Sequence, residues 1–287
     1  MTGKVSSPVA KVLAFLRRLS SSPAGMTGVI LVTFWVLVAL FAPVLAPYGA
    51  TQQLAPLQPP FTLTEDGQFY LLGTDYLGRD LLSRIIFGSR TVLTYVPLAS
   101  LSAYALGTVM GLVAGYHGGW WDKAISFLGN VILSFPVFVL YLVVIATLGS
   151  SGFNIFLAIT FASAPAIMRI TRGLALDIRT KDYIMAARTR GESTLWILFR
   201  EILPNVRGQL AVDLCLRLGY VTITIGVLGF LGIGLPPPEP DWGGMVNEAR
   251  SVALVFPYLI LFPCLAISSL ILGFNLLADG LRSLENA

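Results

Sequence analysis

An all-α polytopic membrane protein of about six transmembrane helices is the fold class that this sequence predicts, and three observations carry it. Only 12% of the 287 residues are charged and 55% are hydrophobic, about half the ~25% charged share of a soluble domain. The mean hydropathy is +0.78. The charges are also bunched, leaving apolar intervals longer than the ~20 residues a membrane helix needs. The 28 Gly and 17 Pro fit the same class, because both are commoner in membrane helices than in soluble ones. Such a chain cannot coat a globule with charge, and a disordered tail, a coiled coil and a secreted disulfide scaffold are excluded.

Segment 1–25 carries Lys4, Lys11, Arg17 and Arg18 and is too long for the n-region of a signal peptide; Pro47 directly after Ala46 also discourages cleavage. The run GVILVTFWVLVALFAPVLAP (28–47) is therefore a retained first helix, within 26–47, followed by a loop at 48–90. Charge-poor intervals place five more spans at roughly 92–116, 124–148, 153–172, 208–234 and 254–278, the third of these ending among Arg169 and Arg172. GSSGFN (149–154) separates the third from the fourth, the five make up a 91–280 transmembrane region, and 281–287 is a tail. Pro136, Pro165, Pro257 and Pro263 fall inside spans, where kinks are tolerated if neighbouring helices satisfy the backbone.

Six spans put both termini on one side, and the basic residues say which. Besides the N-terminal four, Lys123, Arg169, Arg172, Arg179, Lys181, Arg188, Arg190, Arg200, Arg207 and Arg282 lie on that side, against Arg79, Arg84, Arg90 and Arg250 on the other. The positive-inside rule makes the termini and 169–207 cytoplasmic and turns 48–90 and 235–253 outward. The net charge of +4 and pI near 9.2 follow from this asymmetry and do not point to nucleic acid. PPPEPDWGG (236–244) cannot continue a helix, since each proline fixes φ and lacks a donor. Trp242 suits an interfacial anchor, with a short amphipathic helix over 241–253.

No GxxxxGK[ST] phosphate loop is present, so the chain is not expected to hydrolyse ATP itself, and GYHGG is not a dinucleotide fingerprint. His117 is the sole histidine and reads as a turn residue, which leaves no basis for a Ser-His-Asp triad or a histidine metal site. Cys215 and Cys264 lie in separate apolar stretches and read as buried thiols.

DYIMAARTRGESTLWILFREILPN (182–205) is too charged to be a span yet strongly patterned. Asp182 is placed to cap a helix, Gly191 to stop it in the left-handed region, and Ser193 to cap a second helix ending before Pro204. Ala187 and Gly191, four apart, share a bare face that another backbone can approach, and Leu195, Leu198 and Ile202 recur at helical spacing. An amphipathic helix on the bilayer surface is the bland reading; small residues bracketed by Arg188, Arg190 and Glu192 suit a protein groove better.

The AA-x-x-x-G followed by L-P resembles the cytoplasmic coupling motif of the membrane subunits of bacterial ABC importers, with Ala186, Ala187, Gly191, Leu203 and Pro204 on the motif. Met185 stands where that motif has Glu, and Glu201 where it usually has an apolar residue. LLGTDYLGRDLLSRIIFGSR (71–90), GLVAGYHGGWWD (111–122), LGFLGIGLPPPEPDWGGM (228–245) and FNLLADGLR (274–282) look like the dipeptide, oligopeptide and nickel importer permeases, second permease type. The resemblance implies a type I ABC importer permease fold in the bacterial inner membrane. It implies a second homologous permease, two ATPase subunits or domains that bind the ATP and Mg this chain does not, and an extracytoplasmic substrate-binding protein. It also implies a coupling segment at 174–207, with ATPase contact through Tyr183, Ala186, Ala187, Arg190, Gly191, Glu192, Ser193 and Leu195. The external rim, including Asp241 and Trp242, would help close the pathway and meet the binding protein.

Asp213 and Arg217 are one turn apart near the cytoplasmic end of the fifth span, which favours an i,i+4 ion pair over solute contact. Asp75, Arg79 and Asp80 in GTDYLGRD fit either a capping and salt-bridge cluster or contact with a binding protein. A polytopic enzyme should show clustered nucleophiles, bases or metal ligands, and a self-sufficient carrier should show internal repeats; neither pattern is found. On resemblance, a short peptide is the expected solute and a nickel chelate the alternative.

Overall fold

The computed structural model describes residues 22–236 and 238–285; expectations for the first 21 residues and the last two lie outside it. Helix α1 (Pro23–Leu40) opens with Ser22 accepting from the Gly25 amide at 3.3 Å and with a proline in its first turn, where the missing N–H costs nothing. It does not continue to residue 47. Pro43 interrupts it, and a single turn, α2 (Ala42–Leu45), follows Phe41. The loop beyond holds a small antiparallel hairpin, β1 (Thr62–Leu63) with β2 (Phe69–Tyr70).

Helix α3 (Leu81–His117) has 37 residues, so the expected span at 92–116 is only its second part, and the last ten residues of the expected 48–90 loop are helical. Charge counting missed its first turns because Arg84 and Arg90 ride on them. Asp80 caps it, Oδ2 accepting from the Ser83 amide at 2.8 Å, and Gly118 ends it at φ +66°. His117 is thus the last helical residue. The expected single span at 124–148 is two helices, α4 (Gly119–Leu133) and α5 (Val137–Leu148), bent by 85°. Pro136 sits at the break, lacking the N–H that would continue the ladder.

Helix α6 (Gly152–Ile178) runs past Arg169 and Arg172, then come α7 (Asp182–Thr189) and α8 (Thr194–Trp196). A π-helical turn over Ile197–Ile202 joins α8 to α9 (Leu203–Phe230). The helix expected to end before Pro204 therefore passes through it. The wider π turn shifts the bonding pattern just upstream, so the proline enters as if at a helix start. Helix α10 (Trp242–Ala249) is short, and α11 (Tyr258–Glu285) closes the chain, with Pro257 just ahead of it rather than inside. Among the described residues five segments are long and apolar enough to cross a membrane: α1, α3, α6, the continuous α8 to α9 run and α11; the bent pair makes six if it is one broken span.

The most extensive helix pairing joins α3 to α6, and a glycine seam permits it. Gly107, Gly111 and Gly115 lie one turn apart on α3. A Cβ on each would sit 2.6 Å from Ala164 O, 2.6 Å from Met168 O and 2.7 Å from the Ala175 Cβ. In lipid no hydrophobic force drives helices together, so close backbone approach through small residues carries the packing. Gly28 does the same for α1, where a Cβ would lie 2.4 Å from the Leu277 amide nitrogen of α11. Around these seams the main core gathers Val96, Ala99, Ile159, Leu228, Trp242 and Leu270.

Gly111→Leu is expected to force α3 and α6 apart at a cost of at least ~1–3 kcal/mol, lowering the thermal unfolding midpoint of the detergent-purified chain. Gly173→Ala, on α6 where a Cβ meets nothing within 4 Å, should leave it unchanged. Equal midpoints for the two variants would refute the seam.

Candidate functional site

Two clusters lie at opposite ends of α3. At its N-terminal end, Arg79 Nε meets Asp75 Oδ2 at 2.6 Å and its Nη2 meets Glu248 Oε2 at 2.6 Å. Arg84 Nη1 reaches the same two oxygens at 2.9 and 3.1 Å. Two guanidiniums thus share two carboxylates, tying the loop, the start of α3 and α10 together. Asp75 Oδ1 also accepts from the Leu77 and Arg79 amides, both at 2.9 Å, which fixes the turn that presents it. Asp75, Arg79 and Asp80 are buried, so of the two sequence readings the capping and salt-bridge one describes their placement. Arg84 and Glu248 complete the cluster and were not singled out from the sequence; Glu248 lies 169 residues from Arg79, and only the fold brings them together. Burial raises the Glu248 carboxyl above its usual range, and the charge of Arg79 opposes that rise.

Asp241 caps α10, accepting from the Gly243 amide at 3.4 Å and the Gly244 amide at 3.0 Å. Burial pushes its carboxyl up to about 6, against the lowering effect of those two amides. Trp242 is not an interfacial anchor. It is 0% exposed, packs edge-on to Trp35 at 4.8 Å between centroids, and donates from Nε1 to Ile85 O at 3.0 Å. Gly88 makes room for it, since a Cβ there would lie 2.7 Å from the indole. The proline run turns the chain back onto the bundle, and burying a large ring with its donor satisfied is the stable outcome.

At the other end of α3 lies the 182–202 segment. Lys181, not Asp182, occupies the cap position of α7. Gly191 stops it at φ +79°, and Ser193 Oγ accepts from the Trp196 amide at 3.3 Å to start α8. Ala187 is 0% exposed, enclosed by Leu112, Ala175, Ile184, Ile197, Leu198 and Ile202. The close approach its small side chain allows is made within this chain, so it is not an open docking face. Nothing lies within 4 Å of a Cβ on Gly191, whose role is conformational. The exposed face of the segment is Tyr183, Met185, Ala186, Leu195 and Phe199, with Leu195 at 68%. Leu195 thus parts company with buried Leu198 and Ile202, because the π turn rotates the later residues away from a 3.6-residue repeat. Arg190 lies 3.7 Å from Glu192 and 3.8 Å from Glu201. Arg188 stacks over Tyr116, 4.7 Å from its centroid, with Nε donating to the phenol oxygen at 3.2 Å. Arg179 Nη1 donates to Gly115 O at 3.0 Å. Both arginines therefore fasten the segment to the end of α3.

Between these ends, Arg217 Nε meets Asp213 Oδ2 at 3.4 Å, and the Tyr104 hydroxyl donates to the same oxygen. The pair expected from the i,i+4 spacing is thus present, with a phenol from α3 that the spacing could not show.

Among the described residues no group of three or more His, Cys, Asp or Glu side chains is placed to hold a metal. A helical bundle with five or six candidate spans among the described residues defines a polytopic α-helical membrane protein. Residues 107–284 match the family described as the binding-protein-dependent transport system inner membrane component, and 13–60 match the N-terminal TM domain of oligopeptide transport permease C. The chain belongs to the former family. It is 38% identical over 270 residues to the glutathione transport system permease protein GsiD of Pectobacterium atrosepticum, covering 93% of this chain and 87% of that protein. It is 35% identical over 268 residues to the dipeptide transport system permease protein DppC of Alkalihalophilus pseudofirmus, covering 93% and 86%. In structure it resembles a chain of the MetNI methionine ABC transporter, with TM-score 0.58 and 18% identity over 71% of this chain and 95% of that one. This likeness shows the fold. The protein is a multi-pass inner-membrane permease of an ABC importer family, and membership implies ATPase and binding-protein partners.

Because the folded-state value of Asp241 lies above the usual ~3.9 of a carboxyl, the folded chain binds this proton more tightly than the unfolded one. Stability contributed here is present below pH ~4 and is lost as pH rises through about 6, on the order of 3 kcal/mol in all. Gly243 donates to Oδ1 and Gly244 to Oδ2, so Asp241→Asn removes the titration while keeping an acceptor oxygen for one of the two amides. Its unfolding midpoint should fall less than that of the parent between pH 4 and 6.5; parallel curves would contradict the assignment.

Proposed function

We propose that this chain is one of two different permeases lining the pathway of an ATP-driven importer of short peptides. The carrying observation is the 35–38% identity over 93% of the chain to permeases named for dipeptides and for glutathione, itself a peptide. The termini and the 182–202 segment face the cytoplasm, supported by the ten basic residues spread over 123–207 and 282 beyond the N-terminal four. The charge cluster and α10 then form the outer mouth. ATP and Mg are held by the partner ATPases, a division supported by the lack of a phosphate-loop sequence here.

The ATPases dock on the exposed face of Tyr183, Ala186 and Leu195, with Met185 and Phe199 extending it. Arg190, Glu192, Gly191 and Ser193 shape the turn behind it. Ala187 acts one layer in, seating α7 on α3 so that a push on the exposed face reaches the bundle. ATP favours one of two arrangements of the docked segments by binding it better, and the pathway follows. Asp213, Arg217 and Tyr104 hold α9 to α3 in the inner half, as a structural pair rather than a solute contact.

Leu195→Asp should abolish transport and its stimulation of ATP hydrolysis while the subunit still inserts and assembles, whereas Ala187→Trp should lower the amount of folded subunit. Unimpaired transport by Leu195→Asp would remove this face from the coupling surface. Deleting the subunit should eliminate cellular uptake of labelled dipeptides and tripeptides; if it leaves them unchanged and nickel accumulation collapses instead, the peptide assignment is wrong.

A further inference from the structure

A cavity of about 280 Å3 opens beside the outer charge cluster, close to the ~300 Å3 at which small-molecule pockets begin. Its wall includes Arg84, Asn247, Glu248, Glu239, Asp241 and Gly234. Several of these groups have hydrogen-bonding capacity that the fold leaves unused. The Arg84 side chain is 4% exposed, with Nη1 engaged by Asp75 and Glu248 and its partnerless Nε sealed from solvent, so it meets the cavity only through the remaining edge of the guanidinium. Glu248 turns Oε2 to both arginines, and among the described residues no hydrogen bond reaches Oε1. The Asn247 amide lies beside Gly232 and likewise takes no bond from a described residue. Glu239 stands exposed on the rim. The N-terminus of α10 is already occupied by Asp241, so it does not attract a further anion.

Donors and acceptors are thus presented side by side on one wall. A lone anion would be repelled by the neighbouring carboxylates, and a lone cation by the two guanidiniums. A molecule carrying both charges a few ångströms apart satisfies each. We propose that this cavity is a solute site at the outer mouth, taking a zwitterionic amino-carboxylate compound up to dipeptide size, its ammonium on Glu248 and Glu239 and its carboxylate on Arg84 and Asn247. The identification of the solute rests on the peptide reading above.

The test is equilibrium binding of radiolabelled alanylalanine to the complete importer in lipid nanodiscs, without its binding protein. Saturable binding is expected, displaced by unlabelled alanylalanine but not by N-acetyl-alanylalanine or alanylalanine amide, each of which lacks one charge. Asn247→Leu, which keeps the side chain's shape but removes its hydrogen-bonding groups without touching the ion pairs, and Glu239→Gln, on the exposed rim, should each weaken binding about tenfold, the loss expected for one hydrogen bond to a charged group. Should Asn247→Leu fail to assemble, Glu239→Gln alone decides. Absence of saturable binding, equal competition by a blocked analogue, or parental affinity in an assembled variant overturns the site. If cells still depend on the subunit for peptide uptake in that case, the site falls and the peptide reading stands; if uptake never depended on it, that reading is the one that fails.

Discussion

Backbone contact between α3 and α6 is the constraint on which the rest of the molecule depends. Hydrocarbon solvates leucine as well as a protein interior does, so nothing but dispersion and geometry holds two apolar helices together in a bilayer. Gly107, Gly111 and Gly115 remove the side chains that would keep α3 away from Ala164, Met168 and Ala175. Once seated, α3 is a strut of 37 residues, about 55 Å at ~1.5 Å per residue, longer than the ~30 Å hydrocarbon core. Both of its ends therefore emerge, and each organises a cluster.

The two ends are built from different physics. At the N-terminal end, Arg79, Arg84, Asp75 and Glu248 compensate one another charge for charge in a largely buried setting. Such networks return little net stability after desolvation, but removal of one partner strands the others. What the network secures is register: loop, helix start and α10 fit in one arrangement, reinforced by Trp242 on Ile85 O. At the C-terminal end the contact is apolar, with Ile184 and Ala187 seated against Leu112 and fastened by Arg188 over Tyr116. A force applied to α7 is thereby delivered to the same helix that carries Arg84.

Much of the 182–202 segment was legible from local chemistry. Gly191 at positive φ and Ser193 as a cap are properties of the chain within a few residues, and the structure has both. Which residues face outward was not legible. Ala187 looked free because small residues mark any close approach, whether to a partner or to the same chain. Leu195 looked like one stripe with Leu198 and Ile202 because a π turn breaks the period without changing composition. Trp242 looked interfacial for a similar reason: a tryptophan after a proline run is equally at home at the headgroups or, with its N–H satisfied, in a core.

The sequence by itself determined the class of protein, the approximate number and placement of spans, and the helix-turn-helix character of the 182–202 segment. These follow from transfer of side chains into lipid and from short-range backbone rules, both of which are sums over neighbouring residues. Tertiary structure decided the bend at Pro136, the passage of a helix through Pro204, the interior places of Ala187 and Trp242, and the joining of Arg79 and Arg84 to Glu248. Each of these depends on where distant helices lie. A proline can break a helix or be accommodated, and a carboxylate 169 residues away becomes a partner only when the packing of α3, α9 and α10 brings it within hydrogen-bonding distance.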